Sequence, residues 1–127
     1  MITAATCVAL GTLLALGVLQ GLGAAGRPVG DLLWGGRHRV LPRRLRNGSV
    51  IAIALYAAFA VILLSRSGAI PGGDVVVVRV LTWVLAAYFV VGIAMNAVSR
   101  SPAERRVMIP VCVVLATATI LIGLAAG

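Results

Sequence analysis

The chain has no lysine, one histidine, three acidic side chains and two cysteines among its 127 residues. Each scarcity closes off a class of chemistry. A metal site needs clustered His, Cys or carboxylate ligands, whereas His38, Cys7, Cys112, Asp31, Asp74 and Glu104 are scattered along the sequence. With no C-x-x-C pair, thiol redox chemistry has no motif. Charged residues make up only 11% of the chain, against roughly a quarter in a soluble domain. A soluble domain is therefore excluded. The net charge of +8 does not argue for nucleic acid either. Such a partner requires a basic stripe on a soluble element with base-reading side chains, and here the Arg fall between apolar runs.

What the chain does have is apolar surface. It is 61% hydrophobic, with a mean hydropathy of +1.12. Four apolar runs, near 2–22, 50–66, 76–98 and 104–126, approach the ~20 residues that cross a bilayer. The expected fold is an all-α integral membrane protein, a single four-helix transmembrane bundle over 1–127. The first run has no charge before Arg27 and is too long for a signal-peptide core, so it reads as a retained helix.

Charge placement orients the bundle. The basic loop 23–49 carries Arg27, Arg37, Arg39, Arg43, Arg44 and Arg46 against Asp31, and the third loop carries Arg100, Arg105 and Arg106 against Glu104. Arg66 and Arg79 flank the second loop with Asp74. Short Arg-rich loops stay cytoplasmic, so both termini are expected outside. In "SRSPAERR", Ser101 suits an N-cap, Pro102 the first helical position and Glu104 the return arm of a capping box. Pro42 can open a helix through "PRRLRNGSV", and Pro110 should kink or loosen the fourth. The "NGS" match to a glycosylation acceptor is read as chance on a cytoplasmic loop. Lipid should force the Val75–Val78 run into helix or interfacial loop.

Small residues recur at four-spacing: Gly11 and Ala15, Gly17 and Gly21, Ala54 and Ala58, Gly123 and Gly127. They read as bundle packing, with homo-oligomer contact as the other use. Cys7 and Cys112 should differ by roughly 15 Å in depth at 1.5 Å per residue, too far to pair, and read as small packers. Intramembrane polar residues are functional candidates. Gln20 and Asn96 lie near the same end and form a candidate pair, with Arg100 one turn beyond Asn96. No carboxylate sits in mid-membrane, which argues against an exporter of the small multidrug type. The chain has the length and span number of small fluoride channels but lacks their Thr/Ser/Phe-rich stretch. Trp83, Tyr56 and Tyr88 read as belt and packing aromatics.

The basic segment "DLLWGGRHRVLPRRLR" interleaves apolar anchors with Arg, as suits the headgroup layer of anionic lipid. Orientation alone needs neither Trp34-Gly35-Gly36 nor Pro42. These residues imply a shaped loop packed against the "SRSPAERR" turn. The candidate cytoplasmic-face cluster is Asp31, Trp34, His38, Arg39, Asn96, Arg100 and Glu104. No nucleophile–base–orienter set is recognisable, so an enzyme is not expected and no cofactor or metal is implied.

The stretches W-G-G-x-H-R-V-L-P and N-A-x-S-R-S-x-x-E-R, with almost the whole chain around them, resemble small four-span proteins predicted in actinobacteria. The resemblance implies a four-span fold in a bacterial cytoplasmic membrane and brings no activity or ligand. Gln is common in that family at the position of Arg37, which makes this side chain a weak candidate for a role. The leading expectation is a non-enzymatic accessory subunit or lipid-interface module that meets a partner or anionic lipid. The alternative is a small oligomeric transporter or channel with a vestibule near Asn96 and Arg100. Third comes an enzyme on a lipid headgroup, using His38 with Asp31 or Glu104.

Overall fold

The computed structural model describes residues 2–126. Four long helices account for most of them: α1 (Ile2–Ala24), α2 (Arg43–Ser67), α3 (Val76–Ala97) and α4 (Pro102–Ala125). Two single 3₁₀ turns, Gly30–Leu32 and Trp34–Gly36, lie between α1 and α2. All four helices are long and apolar enough to cross a membrane, and the protein is a multi-pass membrane protein. Lipid offers no hydrogen-bond partner, so spans are helical and polar side chains bond locally. Thr6, Thr12 and Thr82 accordingly donate to the carbonyls of Ile2, Val8 and Val78 one turn back.

The helix starts follow the local chemistry. Pro42 is the extended N-cap of α2, which begins at Arg43, one basic turn and more before the apolar run. Val75 caps α3, so the valine run enters a helix. Pro102 opens α4 behind the Ser101 cap. α4 continues through Pro110 as one helix, although proline cannot donate to the Arg106 carbonyl.

Packing is uneven along the bundle. α1 packs along α2 and α4, and α3 along α4, while α2 and α3 touch much less. The apolar core lies in the half shared by the start of α1, the end of α4 and the 68–75 turn. It is built from Ala5, Ala9, Leu13, Leu63, Leu85, Phe89, Leu115, Ala116, Ala118 and Ile122. There α2 meets α3 through aromatic rings: Phe59 lies 5.5 Å from Tyr88 and 5.9 Å edge-on to Phe89. The turn beyond is pinned by Ser65, which donates to Pro71, and by Arg66, which donates to Gly73 at 2.9 Å and faces Asp74.

The small-residue pairs do not pack as expected. A Cβ built on Gly11, Gly17 or Gly21 would meet no neighbour within 4 Å, and Ala15, Ala54 and Ala58 are exposed. α1 instead buries Ala5, Ala9, Leu13 and Gln20, a stripe set by where α2 and α4 lie rather than by residue size. Of the eight residues in these pairs, Gly123 is buried, beneath the Trp83 ring, and Gly127 is outside the described residues.

Candidate functional site

The opposite end of the bundle carries the 25–42 loop, and three local motifs interlock there. Trp34, Gly35 and Gly36 all have positive φ, at 53°, 79° and 71°. Two of these positions are cheap only for glycine. Trp34 bears the left-handed cost, which is offset by its packing. Its ring lies on Gly48, where a Cβ would come within 2.9 Å of it, and its Nε1 donates to Ser49 Oγ at 3.1 Å. The "NGS" that resembles a glycosylation signal is thus the seat of the indole.

The reversal at Trp34–Gly36 delivers the loop onto the start of α4. The Gly35 amide donates to Glu104 Oε2 at 3.1 Å. Gly36 faces Ser101 so closely that a Cβ would overlap that side chain. Ser101 Oγ accepts from the Glu104 amide at 3.2 Å and donates to the Asp31 carbonyl. The expected capping box is therefore only half made. The Ser101 amide is taken by Ser99 Oγ at 3.2 Å, which frees the buried Glu104 carboxylate to hold the loop. A carboxylate in the first turn also gains from the helix dipole.

Two arginines serve as internal clamps. Arg46 Nε donates to the Ala24 carbonyl at 2.9 Å, closing the end of α1, a use of a basic group that suits a helix C-terminus. Arg105 donates to the Ser99 carbonyl. The other seven at this end, Arg27, Arg37, Arg39, Arg43, Arg44, Arg100 and Arg106, are exposed. Ion pairs among the described residues lie at the far turn, where Asp74 meets Arg66 and Arg79.

The candidate residues separate into two groups. Asp31, Trp34 and Glu104 meet in the loop junction, Asp31 through its backbone while its side chain is exposed. Arg39 joins through its carbonyl, which accepts from the Gly30 amide at 2.8 Å. His38 is exposed and hydrogen-bonds neither Asp31 nor Glu104, so the junction does not align a histidine with a carboxylate. Asn96 and Arg100 belong with a cleft instead.

That cleft, of about 830 Å³, opens where α2 and α3 part. Leu16, Leu19 and Gln20 of α1 and Met108, Val111, Cys112 and Leu115 of α4 form its floor. Lining residues on its two rims, such as Leu55, Tyr88 and Met95, are 46%, 53% and 65% exposed, so it faces sideways, toward lipid. Its loop-end mouth carries Trp34, Arg37, Asn96, Ser99, Arg100 and Glu104. From Glu104 to Leu115 it follows twelve residues of α4, roughly 16 Å of axis, about half of a ~30 Å hydrocarbon core.

Gln20 and Asn96 both line this cleft but do not pair. Gln20 Nε2 donates to the Tyr56 hydroxyl at 3.4 Å, and Asn96 Nδ2 bonds the Gly92 carbonyl at 2.8 Å and Cys112 Sγ at 3.4 Å. Each finds a partner on the helix nearest to it, across the cleft from the other. Gln20 Oε1 is buried without a partner among the described residues. The roles of Ser49, Gly48 and Arg46, and the bond from Ser101 to the Asp31 carbonyl, escaped the sequence reading because they depend on contacts across the loop. Tyr56 was read as a belt or packing aromatic, and it does pack near Phe59, but its hydroxyl also accepts from Gln20. No family model, curated protein or solved structure matches this chain, so function has to be read from the loop and the cleft themselves.

Proposed function

We propose that the protein is a small non-enzymatic membrane component, a lipid-interface module whose basic end faces the cytoplasm and meets anionic headgroups. One observation carries this reading. Arg46 and Arg105 turn inward to fix the loop end, while seven other Arg remain exposed on it. An orientation signal needs charge but no fixed shape, whereas a recognition face needs both. Each exposed basic group near an anionic surface contributes about 1 kcal/mol of attraction.

Apolar groups among those Arg favour lipid over an aqueous protein partner. Trp34 and Val40 are 44% and 50% exposed, which suits a segment lying in the headgroup layer. With the positive-inside rule and the resemblance to actinobacterial four-span proteins, the proposal includes a bacterial cytoplasmic membrane with both termini outside.

The test compares thermal unfolding of the protein in phosphatidylcholine nanodiscs with and without phosphatidylglycerol. The anionic lipid should raise the melting temperature, and Arg27, Arg39, Arg43 and Arg44 changed together to Gln should shrink that rise. Equal melting temperatures in the two bilayers would overturn the proposal.

A further inference from the structure

We propose that the cleft between α2 and α3 is a binding site for one anionic phospholipid, its head at Arg37 and Arg100 and one acyl chain along the apolar floor. This rests on the loop end lying in the headgroup layer, and it adds a stoichiometric site to a diffuse surface attraction. Four features agree on this occupant. The cleft opens sideways between two rims of exposed apolar side chains, so a lipid enters without leaving the bilayer. Its depth is about one leaflet, and its volume of about 830 Å³ falls in the ~300–1,000 Å³ range of ligand pockets.

Polarity along the cleft is graded in the order a phospholipid requires. Arg37, Arg100, Asn96 and Ser99 stand at the mouth with Glu104, whose carboxylate is engaged by the Gly35 amide, and Leu16, Phe89 and Leu115 line the deep end. Neither mouth Arg has an acidic partner among the described ion pairs, so both are free for a phosphate. Between the two zones sits Gln20, nine-tenths buried, whose Nε2 donates to the Tyr56 hydroxyl, so polarity falls off stepwise from the mouth to the deep end.

A second groove, of about 370 Å³ between α1 and α4, is lined by apolar residues and Thr117 only, and has no charged group to select a ligand.

The experiment is native mass spectrometry of the full chain released from mild detergent, titrated with phosphatidylglycerol or phosphatidylcholine. One phosphatidylglycerol per chain should be retained in preference to phosphatidylcholine. Arg37→Gln with Arg100→Gln should weaken phosphatidylglycerol binding about tenfold or more and weaken phosphatidylcholine, whose phosphate is offset by its own choline, clearly less. Ala52→Phe, which places a ring in the cleft wall, should weaken both lipids. Unchanged helical circular dichroism of each variant in lipid-free detergent shows that the bundle persists. Non-saturating adducts indifferent to Ala52→Phe would overturn the site while leaving the surface reading intact. So would a lipid-free dimer cross-linked through cysteines placed at Leu55 and Met95, because a second copy would then cover the cleft. If the anionic bilayer has no effect on melting either, the interface reading itself fails.

Discussion

The carboxylate of Glu104 holds the amide of Gly35 at 3.1 Å, across 69 positions of sequence. Together with the bond from Ser101 Oγ to the Asp31 carbonyl, it joins the start of the fourth helix to the loop between the first and second. Glu104→Ala should remove a charge-assisted bond worth about 1.5–3 kcal/mol. The expected result is a lower melting temperature in detergent and faster hydrogen exchange at residues 34–36. Glu104→Gln keeps an acceptor and should lose less.

Gly35 and Gly36 share a left-handed backbone but differ in surroundings. A Cβ at Gly35 meets nothing within 4 Å, while one at Gly36 overlaps Ser101. Gly35→Ala should therefore cost about 1–2 kcal/mol, the left-handed penalty alone. Gly36→Ala should cost more. Thermal unfolding of the two variants side by side checks the order, and equal losses would place the loop away from α4.

Trp34 combines ring packing on Gly48 with a hydrogen bond to Ser49. Trp34→Phe keeps much of the packing and loses the bond, for an expected loss of about 1 kcal/mol. Gly48→Val should be worse, because its side chain takes the space of the ring. The check is unfolding followed by the emission of Trp83, with loop order read separately by exchange.

Orientation is tested with single cysteines in a Cys7→Ser, Cys112→Ser background. With intact cells, a membrane-impermeant maleimide should label Ala69→Cys at once. It should reach His38→Cys only after the membrane is permeabilised. The reverse pattern would invert the topology.

The four helices were legible because apolar length alone decides what crosses a bilayer, and the Ser101-Pro102 start was legible from local capping rules. That Trp34-Gly35-Gly36 demands a shaped loop was also readable, since orientation needs only charge. Its geometry was not. Whether Glu104 turns back on its own cap or outward to Gly35 depends on a segment 69 positions away. The small-residue pairs misled for a related reason. In a span apolar on every side, residue size does not tell which face meets a neighbour, and Gly11, Gly17 and Gly21 face open space. The cleft was hidden altogether, because it arises from α2 and α3 failing to pack. Gln20 and Asn96 were found as polar residues and assigned to each other, when Tyr56 and Cys112 lie closer. Arg37, weak by resemblance, lines the mouth of the cleft, as does Arg100.

An ordered basic loop that meets anionic lipid is read out by hydrogen–deuterium exchange of residues 30–46 in nanodiscs. Exchange should be slow at Gly30, Gly35 and Gly36 in either bilayer, where amides are bonded within the loop and to Glu104. The 37–46 stretch should gain protection when phosphatidylglycerol replaces phosphatidylcholine. Fast exchange throughout the loop, indifferent to lipid charge, would contradict both.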